Sequence, residues 1–311
     1  MTGRQKQRAL VIGSEGNIGR RLVPYLRSVG HEVMEADIRP GWRPNYVLAD
    51  ITHPVDLLPA FDWGPDVVYL CAALVGRMTG EQAATLAITT NLAGINNVLQ
   101  LCKRSKSLCV FFSSSEVYGP DCDPMDDSLA VPRPNNRYGL SKWLGEQLVE
   151  YEVHNSGLRA VTVRPCMIYD EQETMGEHRS AMIRFAANLA RGRPIDVHVD
   201  TARSWLHIED AVRAIEGAAY VEDYAAINLG HPEVIAMTDL ADMIRVVLKA
   251  DPGLIRLKPQ PPMMTPVKHP ILERQRLLLG VEPRISIAEG VRRVCAFQAD
   301  LLARETPAAA T

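Results

Sequence analysis

Short, continuous apolar runs alternate along the chain with longer stretches whose apolar residues recur at helical spacing. "RALVIG" is the first run, and it ends in glycine before the helical pattern "NIGRRLVPYLRSVG". "HEVMEAD" reads as a second strand that ends in acid, and "PDVVYLCAAL" is another unbroken apolar run. A long helical stretch is expected from about Gly80 to Lys103, followed by the strand "LCVFFSS". A loop rich in Pro and Asp leads to the helical "RYGLSKWLGEQLVEYEVHN", and "LRAVTVRPCMIY" is a further strand. Strands that are apolar at nearly every position need cover on both faces. Their alternation with helices predicts an α/β protein with a doubly wound, Rossmann-type parallel sheet. The alternation stops after Tyr169, where "DEQETMGEHRS", "RGRPIDVHVDTARSW" and "LKPQPPMMTPVKHP" predict loops and short elements of a smaller lobe.

Composition narrows the class without deciding it. The 311 residues suit one large domain or two closely joined ones. A net charge of -3 gives no electrostatic case for nucleic acid or an anionic membrane. No apolar run approaches the roughly 18 residues of a membrane span. The N-terminus is basic, but a strand–helix unit begins where a signal peptide would place its apolar region. Cys71, Cys102, Cys109, Cys122, Cys166 and Cys295 form no CxxC pair, so neither a metal site nor a disulfide frame is expected. A reduced cytoplasmic enzyme is the expectation.

"VIGSEGNIGR" sets Gly13, Gly16 and Gly19 between a strand and a helix. Such glycines permit a tight turn and a close approach of backbone to a pyrophosphate, which then rests on the helix N-terminus. Asp37 ends the next strand, where a carboxylate can accept both adenosine ribose hydroxyls and repel a 2′-phosphate. That favours NAD over NADP, while Arg39, two residues on, pulls the other way. Asp50 and Ile51, in "LADIT", offer a contact to adenine.

"CVFFSSSEVYG" runs from an apolar strand straight into hydroxyls. In a doubly wound sheet, ligands bind beyond the C-terminal strand ends, so Ser114 and Ser115 face that region. "RYGLSK" then places Tyr138 and Lys142 at i and i+4 on one helical face. A phenol with a pKa near 10 is a poor base unless a neighbouring cation favours its anion. A tyrosine so tuned can take a hydroxyl proton while hydride leaves the same carbon, with a serine sharing the hydrogen bond.

With glycine turn, serine strand end and Tyr-x-x-x-Lys helix in this order, the chain resembles the extended short-chain dehydrogenase/reductase family, the NAD-dependent nucleotide-sugar epimerases and dehydratases. "PDVVYLCAA", "NLAGINNVLQLC", "RPCMIYD", "RSWLHIEDAVRA" and "PRISIAEGVRRV" resemble family segments in family order. The resemblance implies an NAD-binding domain over residues 1–166 plus 206–231 and a substrate lobe over 167–205 plus 232–311. It implies that Asn17, Ile18, Ala72, Ala73, Asn91 and Pro165 join the cofactor site, and that Ser114 is the catalytic hydroxyl beside Tyr138 and Lys142. It also implies that Arg203 holds a nucleotide diphosphate, with Arg292 a further candidate, that His207 and Asp210 are structural, and that a homodimer forms through helices near residues 81–103 and 138–154.

Two positions depart from the family pattern. Met167 stands where an asparagine commonly binds substrate, and Leu70 replaces a usual histidine. Glu116 follows Ser115 where dehydrating relatives carry Asp-Glu, so the acid of that pair is missing and the base remains. Ser-Glu at this place is closer to nucleotide-hexuronate decarboxylases. Glu116 could equally bond backbone amides at the turn. The reading is a 4-epimerase acting through a 4-keto sugar. A decarboxylase or dehydratase using Glu116 is the alternative. An ordinary ketoreductase consuming free NAD(H) and an inactive dinucleotide-binding regulator are the further ones.

Overall fold

Strand β1 (Arg8–Ile12) shows how the two layers arise, because successive side chains point to opposite faces. Ala9 and Val11 join one core, and Leu10 and Ile12 join the other. The computed structural model describes residues 5–173 and 180–305, so part of the loop expected over 170–180 lies outside the described residues. After β1 come α1 (Gly19–Ser28), β2 (Glu32–Asp37), β3 (Tyr46–Leu48), α2 (Pro54–Asp62) and β4 (Val67–Leu70). Next are α3 (Arg77–Gln82), α4 (Ala84–Ile88), α5 (Gly94–Ser105), β5 (Leu108–Phe112), α6 (Arg137–Ser156) and β6 (Ala160–Pro165).

The chain then adds β7 (Met167–Tyr169), α7 (Ala181–Ala190), β8 (Ile195–His198), β9 (Ala202–His207), α8 (Ile208–Gly217) and β10 (Ala226–Leu229). It finishes with β11 (Val234–Ala236), α9 (Met237–Leu248), β12 (Ile255–Lys258), β13 (Val267–Lys268), α10 (Glu273–Leu279) and α11 (Ile287–Glu305). Seven strands form one sheet in the order β10-β6-β5-β4-β1-β2-β3, and every pairing is parallel. Helices α1 and α8 cover one face. Helices α2, α5 and α6 cover the other. This is the Rossmann-type fold that the apolar strands predict. Leu10, Leu22, Leu57 and Leu70 have no exposed surface, and truncating such a residue to alanine costs about 2–5 kcal/mol. Leu70, where the family pattern has histidine, lies among Ile12 and Phe111 in an apolar core.

The smaller lobe takes β7, β9, β11 and β13 as one sheet and β8 with β12 as another. Tyr169, Trp205 and side chains of α7, α9 and α11 share its core. Helix α10 is the exception in the late chain. It packs on α8 and β10, and Leu279 belongs to the core of the large sheet. Among the described residues, no helix is long and apolar enough to cross a membrane.

The helix expected from Gly80 to Lys103 is broken once and widened once. Ala83 leaves helical geometry at φ -121°, ψ 53°, and Thr89–Ala93 form a π-helical turn. That turn contains the fully buried Asn91. Its carboxamide accepts from the Leu74 N–H at 2.8 Å and donates to the Leu74 carbonyl and the Ser141 hydroxyl. A π turn inserts one residue into a helix, and here it accompanies a side chain that ties the loop after β4 to α6.

Candidate active site

The cofactor side of the cleft is shaped by backbone sterics. Gly13 has φ +90°, and a Cβ there would lie 2.6 Å from the Ala72 amide nitrogen. A Cβ on Gly19 would overlap the Gly13 carbonyl. Helix α1 starts at Gly19 with no side-chain cap on its first N–H groups, which leaves them open to an anion. Ser14 is buried close by, with no partner for its hydroxyl among the described residues. Asp37 accepts from the Glu15 N–H at 2.8 Å and from the Arg39 N–H at 2.9 Å, so its carboxylate faces the β1–α1 turn. These features fit a dinucleotide. Asn17 and Ile18 lie in the same turn, although the Asn17 amide donates to Glu173 at 3.3 Å. Asp50 accepts from the Thr52 N–H and hydroxyl, both at 2.8 Å, and so is engaged in its own turn. Burial acts to raise its pKa, and those two donors outweigh it. Ile51 is buried against Gly94. Ala73 follows Ala72 beside Gly13, Asn91 acts through the loop that contains them, and Pro165 ends β6.

Ser114, Tyr138 and Lys142 are gathered at the end of β5, each at most 8% exposed. Tyr138 lies in the first turn of α6, which Asn136 caps by accepting the Gly139 N–H at 2.9 Å. The Ser114 hydroxyl accepts the Glu116 N–H at 3.2 Å and lies close enough to the Tyr138 phenol to favour its anion. Burial pushes the phenol above its usual range, Ser114 opposes that, and the Glu116 carboxylate adds to it. The ammonium–phenol pairing expected from the i, i+4 spacing is not the arrangement here. Lys142 Nζ donates to the Phe112 carbonyl at 2.8 Å and lies 5.3 Å from the Phe111 ring centre. Burial lowers its pKa to about 8, against the carboxylate of Glu146 and the thiol of Cys71.

Glu116 is held from two sides. Lys268 Nζ donates to its Oε1 at 2.5 Å, and Asn136 Nδ2 donates to its Oε2 at 2.8 Å. Burial would raise this carboxyl, but Lys268 and Asn136 together bring it to about 2. In the β9–β13 pairing Lys268 stands opposite Arg203. Arg203 is buried and donates to the Ala202 and Pro266 carbonyls. Burial lowers it to about 10, opposed by Glu116, and Arg77 from α3 is close enough to act on both. Cys166 completes the wall. Burial pushes its thiol up to about 12 while Lys268 and the neighbouring Ser115 hydroxyl oppose this.

Of the other expected contacts, Met167 packs against the apolar core of the small lobe. Arg292 is not brought to this cluster. It is 63% exposed on α11 and pairs with Glu289 at 2.6 Å, one turn earlier on the same helix. His207 caps α8 and bonds Glu171, and Asp210 accepts from the Arg284 and Ile285 N–H groups. Lys268, Arg77 and Asn136 were not singled out by sequence reasoning. Asn136 carried a signal, as an N-cap residue just ahead of a helical pattern. Lys268 lies in a Pro-rich stretch without periodicity and carried none.

The NAD dependent epimerase/dehydratase family matches residues 9–230, and the chain belongs to that family. It is an enzyme, and NAD is its cofactor. UDP-glucuronic acid decarboxylase 1 of Arabidopsis thaliana is 25% identical over 94% of this chain and 70% of its own length. A dTDP-4-dehydro-6-deoxy-D-allose reductase of Streptomyces bikiniensis is 28% identical over 88% of this chain and 91% of its own. The UDP-glucose 4-epimerase of Thermotoga maritima, solved with UDP-glucose, superimposes with a TM-score of 0.88 at 19% identity, covering 95% of this chain and 99% of that one.

Proposed function

We propose that the protein is a nucleotide-sugar 4-epimerase. The observation that carries this reading is the state of Glu116. It is pinned between Lys268 and Asn136 and ionised down to about pH 2, far from the near-neutral range in which an acid or base works well. Dehydration needs a carboxyl pair here, and this one is single and immobile. Tyr138 then serves as the proton acceptor for the sugar 4-hydroxyl, with Ser114 holding the same oxygen. Burial alone sets the phenol too high for this, and the positive nicotinamide ring of bound NAD is the charge that would favour its anion. Bound NAD supplies a reversible hydride acceptor. Lys142 keeps a positive charge at the strand end, and Tyr138 returns the proton when the keto group is reduced on its opposite face. Arg203 is the proposed contact to the nucleotide diphosphate.

A second reading is favoured by one further observation. Arg77, Arg203 and Lys268 surround the single carboxylate Glu116, so the pocket has surplus positive charge suited to a sugar carboxylate. Decarboxylation of a nucleotide hexuronate would use that charge, and a decarboxylase is among the relatives. The homodimer and the reduced cytoplasmic setting are also proposals. Exposed Leu86, Leu140 and Tyr151 on α4 and α6 support the first, to be checked by sedimentation, and six free cysteines support the second.

The deciding experiment incubates the protein and NAD with nucleotide hexoses and hexuronates and reads products by chromatography and mass spectrometry. A new product of unchanged mass supports the epimerase. Loss of carbon dioxide moves the assignment to the decarboxylase, and loss of water to a dehydratase. Net consumption of NAD(H) would make it a reductase or dehydrogenase, and binding of nucleotide without any product would point to a regulator.

A further inference from the structure

The adenosine end of the cofactor site contains more positive charge than a free ribose needs. Arg39 and Arg43 both lie on the loop between β2 and β3, just beyond Asp37. A guanidinium in this place is what a 2′-phosphate recruits, through its forked, charge-assisted donors. Counted by charge alone, the loop should accept NADP.

Both arginines already have partners, and both partnerships lead to Glu15. Arg43 Nη2 bonds the Glu15 carboxylate and also Glu35 Oε2, the latter at 2.7 Å. Arg39 Nη1 donates to the Glu15 carbonyl at 3.3 Å. Glu35 is buried on β2 and takes Arg27 on its other oxygen at 2.8 Å, which anchors the network to α1. Tyr46 braces it from below, with its ring 5.0 Å from the Arg43 guanidinium and its hydroxyl bonded to the Arg39 carbonyl. Glu15 also gives its backbone N–H to Asp37. The carboxylates of Glu15 and Glu35 therefore hold the guanidiniums of Arg43 and Arg27, while Asp37 takes backbone N–H groups.

We propose that Glu15 is a cofactor-selecting residue: its carboxylate keeps Arg43 from offering its charge to a 2′-phosphate and sets a second negative charge beside Asp37. Asp37 alone would repel the phosphate from one side and leave two arginines to attract it from the other. The Glu15 carboxylate removes the share of that attraction that Arg43 would supply.

The test is equilibrium binding of NAD and of NADP to the full chain freed of nucleotide. Glu15→Gln keeps the N–H to Asp37 and the carbonyl to Arg39, and removes only the charge. NADP binding is expected to tighten relative to NAD by about tenfold, the worth of one charge-assisted hydrogen bond. Arg43→Gln in the same background should cancel the gain. An unchanged NADP to NAD ratio in Glu15→Gln overturns the proposal, as does a gain that survives Arg43→Gln. Equal loss of both nucleotides also overturns it, because Glu15 would then shape the turn and not select the cofactor.

Discussion

The turn between β1 and α1 draws its glycines from one short segment, whereas Glu116, Lys268, Arg203 and Arg77 reach one pocket from elements far apart in the chain. The first is built by sterics. Ala72 and the Gly13 carbonyl leave no room for a side chain. The second is built by charge, with one buried carboxylate binding the large domain to the small lobe through a 2.5 Å ion pair. A steric site should ignore pH and respond to a single methyl group. An electrostatic one should tolerate small changes in volume and fail when charge is lost.

The largest effect is expected where both regions meet the reacting carbon. Tyr138→Phe should lower turnover by about 10²–10⁴-fold, in line with removal of an acid–base group, while NAD stays bound. Steady-state rates and acid extraction of the nucleotide check this, and full activity would sink the proposed chemistry. Lys268→Met should destabilise the fold by about 1–3 kcal/mol, because it removes the nearest counter-charge of Glu116 while Arg77 and Arg203 stay close. Denaturant titration reads that cost, and Glu116→Gln in the same background should recover much of it.

pH separates the two regions more finely. The Glu116 carboxyl is lowered from 4.5 to about 2, so its stabilisation is complete above about pH 4.5 and disappears as pH falls toward 2. Its full size is roughly 3 kcal/mol. Acid unfolding followed by circular dichroism should show this component in the parent and lose it in Lys268→Met. Gly19→Ala should cost about 1–3 kcal/mol by overpacking and weaken NAD binding, with no change in the acid limb. Arg292→Ala should change stability and turnover least, within about 0.5 kcal/mol, since its exposed pair with Glu289 contributes little.

The same contrast explains how much could be read from the sequence. The parallel sheet, the glycine turn, Asp37 and the Ser114–Tyr138–Lys142 group follow from local patterns, because apolar runs and short spacings are local properties. Lys268 could not be found that way. Its role depends on β13 lying beside β9, a pairing without any pattern of its own in "LKPQPPMMTPVKHP". Arg292 shows the opposite error, a residue of suitable chemistry that its helix turns outward to Glu289. Ala83 and the π turn at Thr89–Ala93 were hidden because apolar periodicity does not register a single non-helical residue or one inserted residue.

Helix α10 has a consequence for anyone who would re-engineer this enzyme. The late chain leaves the small lobe, seats Leu279 beside Gly217 in the core of the large sheet, and only then goes back to end in α11. The small lobe is therefore not a detachable module. A graft that imported a foreign lobe for a new sugar would have to keep α10 native, or bring a replacement whose side chains match α8 and β10. Otherwise the exchange would unseat the very scaffold meant to receive it.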